Sequence, residues 1–223
     1  MTYSISLKIQ PTTYQRFETI HQKLNAGETE SQSKALGDNL ADIACEILDQ
    51  VFGQMARMNK SGDNESEKII QQIRETTRKY MPWSVSFFGN DRLVPMVNYL
   101  YGRFYSEDGQ HYMHYPIDAS LATDLLAYVS QMKEGQNQYV PLALKAFTQV
   151  VDAGVTHLVR EPKKMLKFNM VVDKTLTGVI NLTTQLGYKR FDKLGKIYDA
   201  QSMSQYFDHF MVFLNNEPVL RKA

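Results

Sequence analysis

The first ten residues constrain this chain more than any other stretch. Tyr3, Ile5, Leu7 and Ile9 alternate with Thr2, Ser4, Ser6, Lys8 and Gln10, a period of two that makes a strand with one apolar face. Pro11 ends the alternation, and the pattern beyond it is helical almost throughout. A single strand is not stable without a neighbour to pair with. The one other strand-like run this reading finds is Ser84-Val85-Ser86-Phe87-Phe88. The strand is therefore completed by a second copy of the chain, completes a sheet elsewhere in its own chain, or is an ordered arm.

Proline is well placed at the start of a helix, and Tyr14, Phe17, Ile20 and Leu24 follow Pro11 at helical spacing until Asn25-Ala26-Gly27 closes the run. A second helix has Ser33 as its expected N-cap. Its apolar stripe is Leu36, Leu40, Ile43, Ile47, Leu48, Val51, Phe52 and Met55, opposite an acidic ridge of Asp38, Asp42, Glu46 and Asp49. The polar stretch Asn59 to Asn64 is the expected domain boundary. Further helices are expected over 64–80, 91–105, 117–133, 138–159, 163–186 and 202–215. The fifth of these is expected to be the central element of its domain. Met165, Phe168, Val172, Leu176, Val179 and Leu186 form its stripe, widened by Met170, Val171, Ile180 and Leu182.

Composition narrows the function classes. With 223 residues and 43% hydrophobic side chains there is ample material for a core, and the lone Cys45 excludes an internal disulfide framework. No apolar run reaches the length of a membrane span, and the first residues lack a secretory pattern, so a cytoplasmic location without membrane contact is expected. The 25 basic and 24 acidic side chains nearly cancel, yet residues 157–196 hold nine Lys or Arg against three acids. That asymmetry suits an acidic partner or a solvated helix face answering an acidic ridge.

The run Ile5-Ser6-Leu7-Lys8-Ile9-Gln10-Pro11-Thr12-Thr13-Tyr14-Gln15-Arg16-Phe17 resembles the opening of a ribbon-helix-helix DNA-binding domain (Arc/methionine-repressor-like). Ser33-Lys34-Ala35-Leu36 and Leu40 resemble the start of its second helix, although Gly37 falls inside that helix. The resemblance covers about residues 1–55 and implies a homodimer whose strands pair antiparallel across a two-fold axis. The double-stranded ribbon would enter the DNA major groove. On the strand's polar face Ser4, Ser6 and Lys8 are the candidates for reading bases. Ser31, Ser33 and Lys34, at the N-terminus of the second helix, are the candidates for holding phosphate.

Other patterns are thinner. His111 and His114 lie near acidic residues in what reads as a Gly- and Tyr-containing loop, without a second histidine pair to complete a metal site. No nucleophile elbow, phosphate loop or dinucleotide fingerprint is present. Residues 80–115 hold ten of the chain's 25 aromatic side chains, enough for a pocket, an adaptable interface or core packing. The expected protein is mainly α, with a dimeric ribbon-helix-helix module over 1–58 and an all-helical bundle over 64–223. It is a non-enzymatic, sequence-specific DNA-binding protein, a transcriptional repressor or a plasmid or phage accessory factor, that needs no cofactor or metal. Its rivals are a protein-interaction module and a sensor of small apolar ligands built on the aromatic region 80–115.

Overall fold

A computed structural model describes residues 3–57 and 65–216. The chain is mainly helical with one small antiparallel sheet. Strand β1 (Tyr3–Ile9) leads into α1 (Pro11–Asn25), α2 (Ser33–Arg57), α3 (Glu65–Val85) and α4 (Asn90–Tyr101). A hairpin follows, β2 (Phe104–Glu107) and β3 (Gln110–Ile117), and then α5 (Ala119–Lys133) and α6 (Val140–Val155). A π-helical turn, Thr156–Arg160, joins α6 to the short α7 (Glu161–Met165). The long α8 (Met170–Ile197), α9 (Ala200–Met211) and the two-residue β4 (Leu214–Asn215) complete the described chain.

Strand β1 finds its partners at home. It pairs antiparallel with β3 over its whole length, Ile5 opposite Tyr115 and Leu7 opposite Met113, and with β4 through Ser4 and Ile5. Beyond β4 its outer edge is taken by α2. The Lys8 N–H donates to Gln50 Oε1 at 2.9 Å, Gln50 Nε2 donates to the Lys8 carbonyl at 2.7 Å, and the Gln10 N–H donates to Glu46 Oε2 at 2.9 Å. An edge blunted in this way offers no ladder to another strand. The expected pairing of two β1 strands across a two-fold axis is therefore corrected: Ile5 and Leu7 are fully buried in a core built by their own chain.

The sheet order is β2-β3-β1-β4 with neighbours antiparallel and helical connections from β1 to β2 and from β3 to β4, the connectivity of a split β-α-β unit. The β2–β3 hairpin was not foreseen. Asp108 and Gly109 turn it with φ of 49° and 73°, and two consecutive positive φ values are what a type I′ hairpin turn needs. The Ser84–Phe88 run belongs instead to the end of α3 and the turn after it.

Two apolar cores form, and each draws on both sides of the 59–64 segment. One joins Ile5, Leu7 and Val51 to Phe147, Phe191, Tyr206, Phe207 and Phe210. The other joins Ile9, Phe17, Leu36 and Ile43 to Val85, Leu93, Met96 and Leu166. Residues 3–57 thus share both cores with the rest of the described chain, and the expected boundary at 59–64 lies outside the described residues. Gly37, anomalous in the expected second helix, marks the crossing of α2 and α3: a Cβ there would lie 2.4 Å from Pro82 Cα. Helix α2 begins at Ser33, with the Leu36 N–H on the Gln32 carbonyl, so Gln32 rather than Ser33 is the boundary residue.

The expected helix over 163–186 is two helices separated by a turn in which Lys167 takes φ 49°. Along α8, Val172 and Leu176 are buried, Val179, Ile180 and Leu186 are half-buried, and Met170, Val171 and Leu182 face solvent. The helix is a wall, not a central pillar.

Candidate functional site

Between the two cores lies an apolar cleft of about 280 Å³. Its floor is the buried side of α2 (Leu40, Ile43, Ile47, Val51) with Leu7, Met113 and Tyr115 from the inner face of the sheet. One wall is α3, with Ile73, Thr77, Tyr80 and Met81; the facing wall is α8, with Leu176, Val179, Ile180 and Thr183. The end of α6 and the π turn supply Val151, Gly154, Val155, Leu158 and Val159. Ile47 and Leu158 touch both cores and line the cleft.

Local sequence explains why the space stays open. Short or slender side chains are interspersed along the inward faces of α3 and α8 (Thr76, Thr77, Val179, Thr183, Thr184), and between the larger Ile73, Tyr80, Met81, Leu176 and Ile180 they leave part of the gap unfilled. Polar contacts hold the two helices together at one end. Arg190, buried on α8, donates through Nε to Ser66 Oγ at 2.8 Å and through Nη1 to Glu65 Oε2 at 2.6 Å, and Lys193 also reaches Glu65. Gly154 lets Tyr115 come against α6, since a Cβ would lie 2.8 Å from Tyr115 Cζ. Burial pushes the Tyr115 phenol well above its ordinary range, so it faces the cleft region neutral.

The π turn is braced from behind. Tyr99 donates to the Glu161 carboxylate and accepts from Arg103 Nη2 at 2.8 Å, while His157 Nδ1 lies 3.0 Å from the same carboxylate. The Tyr99 hydrogen bond, working against burial and aided by His157 and Arg103, holds the Glu161 carboxyl below its usual value. Arg160 Nη1 meets Asp152 Oδ1 at 2.8 Å, and Tyr188 donates to that oxygen at 2.6 Å. These polar groups fix the turn's outer side while Leu158 and Val159 face the cleft. A single π turn within a helical run is a common mark of a functional wall.

Among the described residues, Lys163 is the one charged residue of the lining. Its ammonium donates to Asp173 Oδ1 at 2.6 Å and to Thr177 Oγ1 at 2.8 Å, and its side chain is 14% exposed. The cleft therefore offers a large apolar surface with a single cationic contact.

The residues expected to meet DNA are not brought together. Ser4 and Ser6 share a face with Lys8, but they are 6% and 5% exposed, flanked by β3 on one side and by the Phe213–Asn215 segment on the other. Neither hydroxyl is placed to meet a base edge. Lys8 is exposed at the Gln50 end of α2. Ser33 and Lys34 are at the other end, about 25 Å away at 1.5 Å per residue. Ser31 Oγ and Ser33 Oγ lie 3.0 Å apart, and Lys34 is paired with Asp38 at 2.8 Å. The basic stretch is partly answered from within, by Asp152, Asp173 and Glu65.

His111 and His114 point to opposite faces of β3, His111 stacked on Tyr14 at 4.0 Å and His114 near Tyr105, so they do not share a ligand. The aromatic-rich region is divided. Tyr80 and Tyr115, with Met81, Met96 and Met113, line the cleft, while Phe88 and Phe104 join the second core. The apolar stripes of α2 and α8 supply the cleft as well as the cores. A lining and a core have the same periodicity, and nothing in one helix says whether its neighbour will close against it.

No family model matches this chain, and no curated protein or solved structure matches it.

Proposed function

We propose that this protein binds a small, mainly apolar molecule in the cleft between α3 and α8, an amphiphile of the fatty-acid type whose carboxylate would take the third N–H of the Lys163 ammonium, beside Asp173 and Thr177. The observation that carries this reading is the chemistry of the lining: a cleft of about 280 Å³ with almost wholly apolar walls. An apolar chain that covered those walls would gain about 25 cal/mol for each Å² taken out of water. Pockets for small ligands have this character, apolar walls with few, placed polar groups. Sequence-specific DNA binding rests on the resemblance of the first 55 residues, and no arrangement of side chains here favours it over the cleft.

The test is thermal unfolding with palmitate. A ligand at one hundred times its Kd adds about 2.7 kcal/mol, a rise of several degrees in Tm for a chain of this size. Ala44→Phe places a ring in the cleft from α2, where Ala44 is part of the lining, and should abolish the rise while leaving the protein folded. An equal Tm rise in Ala44→Phe, or none in the parent, contradicts the reading.

A further inference from the structure

Among the described residues, the side chains most exposed against their chemistry are Met170 and Val171, at 71% and 75% of their full surface. They form the tip of a knuckle between α7 and α8, and the knuckle is held rigidly. Lys167 adopts a left-handed φ of 49°, a conformation that a β-carbon makes costly. Arg92 Nη2 donates to the Leu166 and Lys167 carbonyls at 2.9 and 3.3 Å. Phe168 packs its ring on Phe88 at 4.9 Å, and the Asn169 side chain caps α8 by accepting from the Val171 and Val172 N–H groups. Backbone strain, a cation and a cap together hold two apolar side chains out in water.

The neighbouring segment does the same. Phe87, next to Phe88, is 50% exposed and makes an edge contact with Trp83 at 4.9 Å; Trp83 in turn meets Tyr80, which lines the cleft. This aromatic series leads from the cleft to the surface. Around the knuckle the charge is positive: residues 161–174 carry four lysines against two acids, and Lys164, Lys167 and Lys174 are exposed. The acids Glu161 and Asp173 are engaged by Tyr99 and Lys163.

We propose that this end of the molecule, the Met170–Val171 knuckle with Phe87 and the exposed lysines 164, 167 and 174, docks on an anionic lipid surface from which the cleft is loaded. Aliphatic and aromatic side chains enter the boundary between headgroups and acyl chains, while lysines are drawn to the anionic surface. The inference deepens the cleft reading by naming where its ligand comes from, and it requires no membrane span; no helix among the described residues is long and apolar enough to be one.

The experiment is flotation of the full chain with vesicles of phosphatidylcholine alone and of phosphatidylcholine with 30 mol% phosphatidylglycerol. The parent should float with the anionic vesicles, at least tenfold more than with the neutral ones, and release as salt rises. Met170→Ser with Val171→Ser should lower the bound fraction at least fivefold, as should Lys164→Glu with Lys167→Glu. Leu126→Ser, a change at an exposed apolar residue on α5, should not lower it. Failure of the parent to float, as a surface built for an acidic protein would give, overturns the docking inference. So does equal flotation of all variants. The palmitate-induced Tm rise, measured on the same preparations, reports the cleft separately: a knuckle variant that still gains thermal stability with palmitate but no longer floats separates docking from binding.

Discussion

Two regions of this protein are built from amphipathic helices of the same kind and end differently. Around Phe147 the gap is closed by rings: Phe210, Phe191, Tyr206 and Phe207 surround it at 4.6 to 5.8 Å between centroids, in edge-to-face contacts, and all five are fully buried. Between α3 and α8 the facing side chains mix threonines, a valine and isoleucines with Tyr80, Met81 and the buried Leu176, and most of them stay half-buried around the cleft. Rings bury 150–250 Å² each and prefer these tilted geometries, so α6, α8 and α9 lock together. Small side chains on two helices that share a floor leave a cleft. The difference lies in residue volume, since the periodicity of the apolar positions is alike.

The contrast breaks most visibly in stability. Phe147→Ala should cost about 3–5 kcal/mol in chemical denaturation, whereas Val179→Ala, facing open space, should cost under about 1 kcal/mol. Similar losses at the two positions would mean that the cleft is as tightly packed as the ring cluster. Gly37→Ala comes next. The methyl would lie 2.4 Å from the Pro82 backbone, and separating α2 from α3 should cost about 1–3 kcal/mol. Ala44→Phe should act in the opposite direction and stabilise by about 0.5–2 kcal/mol, as filling a gap does; a loss instead would place Ala44 in packed core.

Asn169→Ala removes the cap of α8, whose side chain accepts from two backbone N–H groups. A cost of about 1 kcal/mol is expected, with faster amide exchange confined to the first turn beside the knuckle. The smallest effect is on the pH profile. Burial pushes the Asp152 carboxyl up, but the hydrogen bonds from Tyr188 and Arg160 and the Arg160 charge outweigh it, and the group ends below its ordinary 3.8. A depressed carboxyl stabilises the fold above that ordinary value and loses its contribution as pH falls through the folded value. Asp152→Asn should therefore lower stability at neutral pH and flatten the acid limb of the profile below about pH 4, where parent and variant converge.

Much of the helical framework was legible because it rests on periodicity, which tertiary packing does not alter. The starts of α1 and α2 and the span of α5 follow from Pro11 and the apolar spacing. The sheet was not legible in the same way. The Asp108-Gly109 dipeptide between Phe104–Glu107 and Gln110–Ile117 is a strong hairpin signal, but the tyrosines and histidines around it mask the alternation of a strand. Without β3, periodicity alone leaves the apolar face of β1 in want of a second chain. With β3 in place, Ser4 and Ser6 are buried within the sheet and Lys8 is exposed. The cleft was hidden for a different reason: it is a property of two facing helices far apart in sequence, and no single stripe records what stands opposite.

The central claim is that the cleft takes an apolar chain, and the protein carries its own reporter. Trp83 is the only tryptophan and its ring touches Tyr80 of the cleft wall. Titration with a dibrominated stearic acid, with unbrominated stearate as reference, should quench Trp83 emission saturably at one molecule per chain, and Ala44→Phe should abolish the quenching. Linear, unsaturable quenching equal in the parent and in Ala44→Phe would contradict the account.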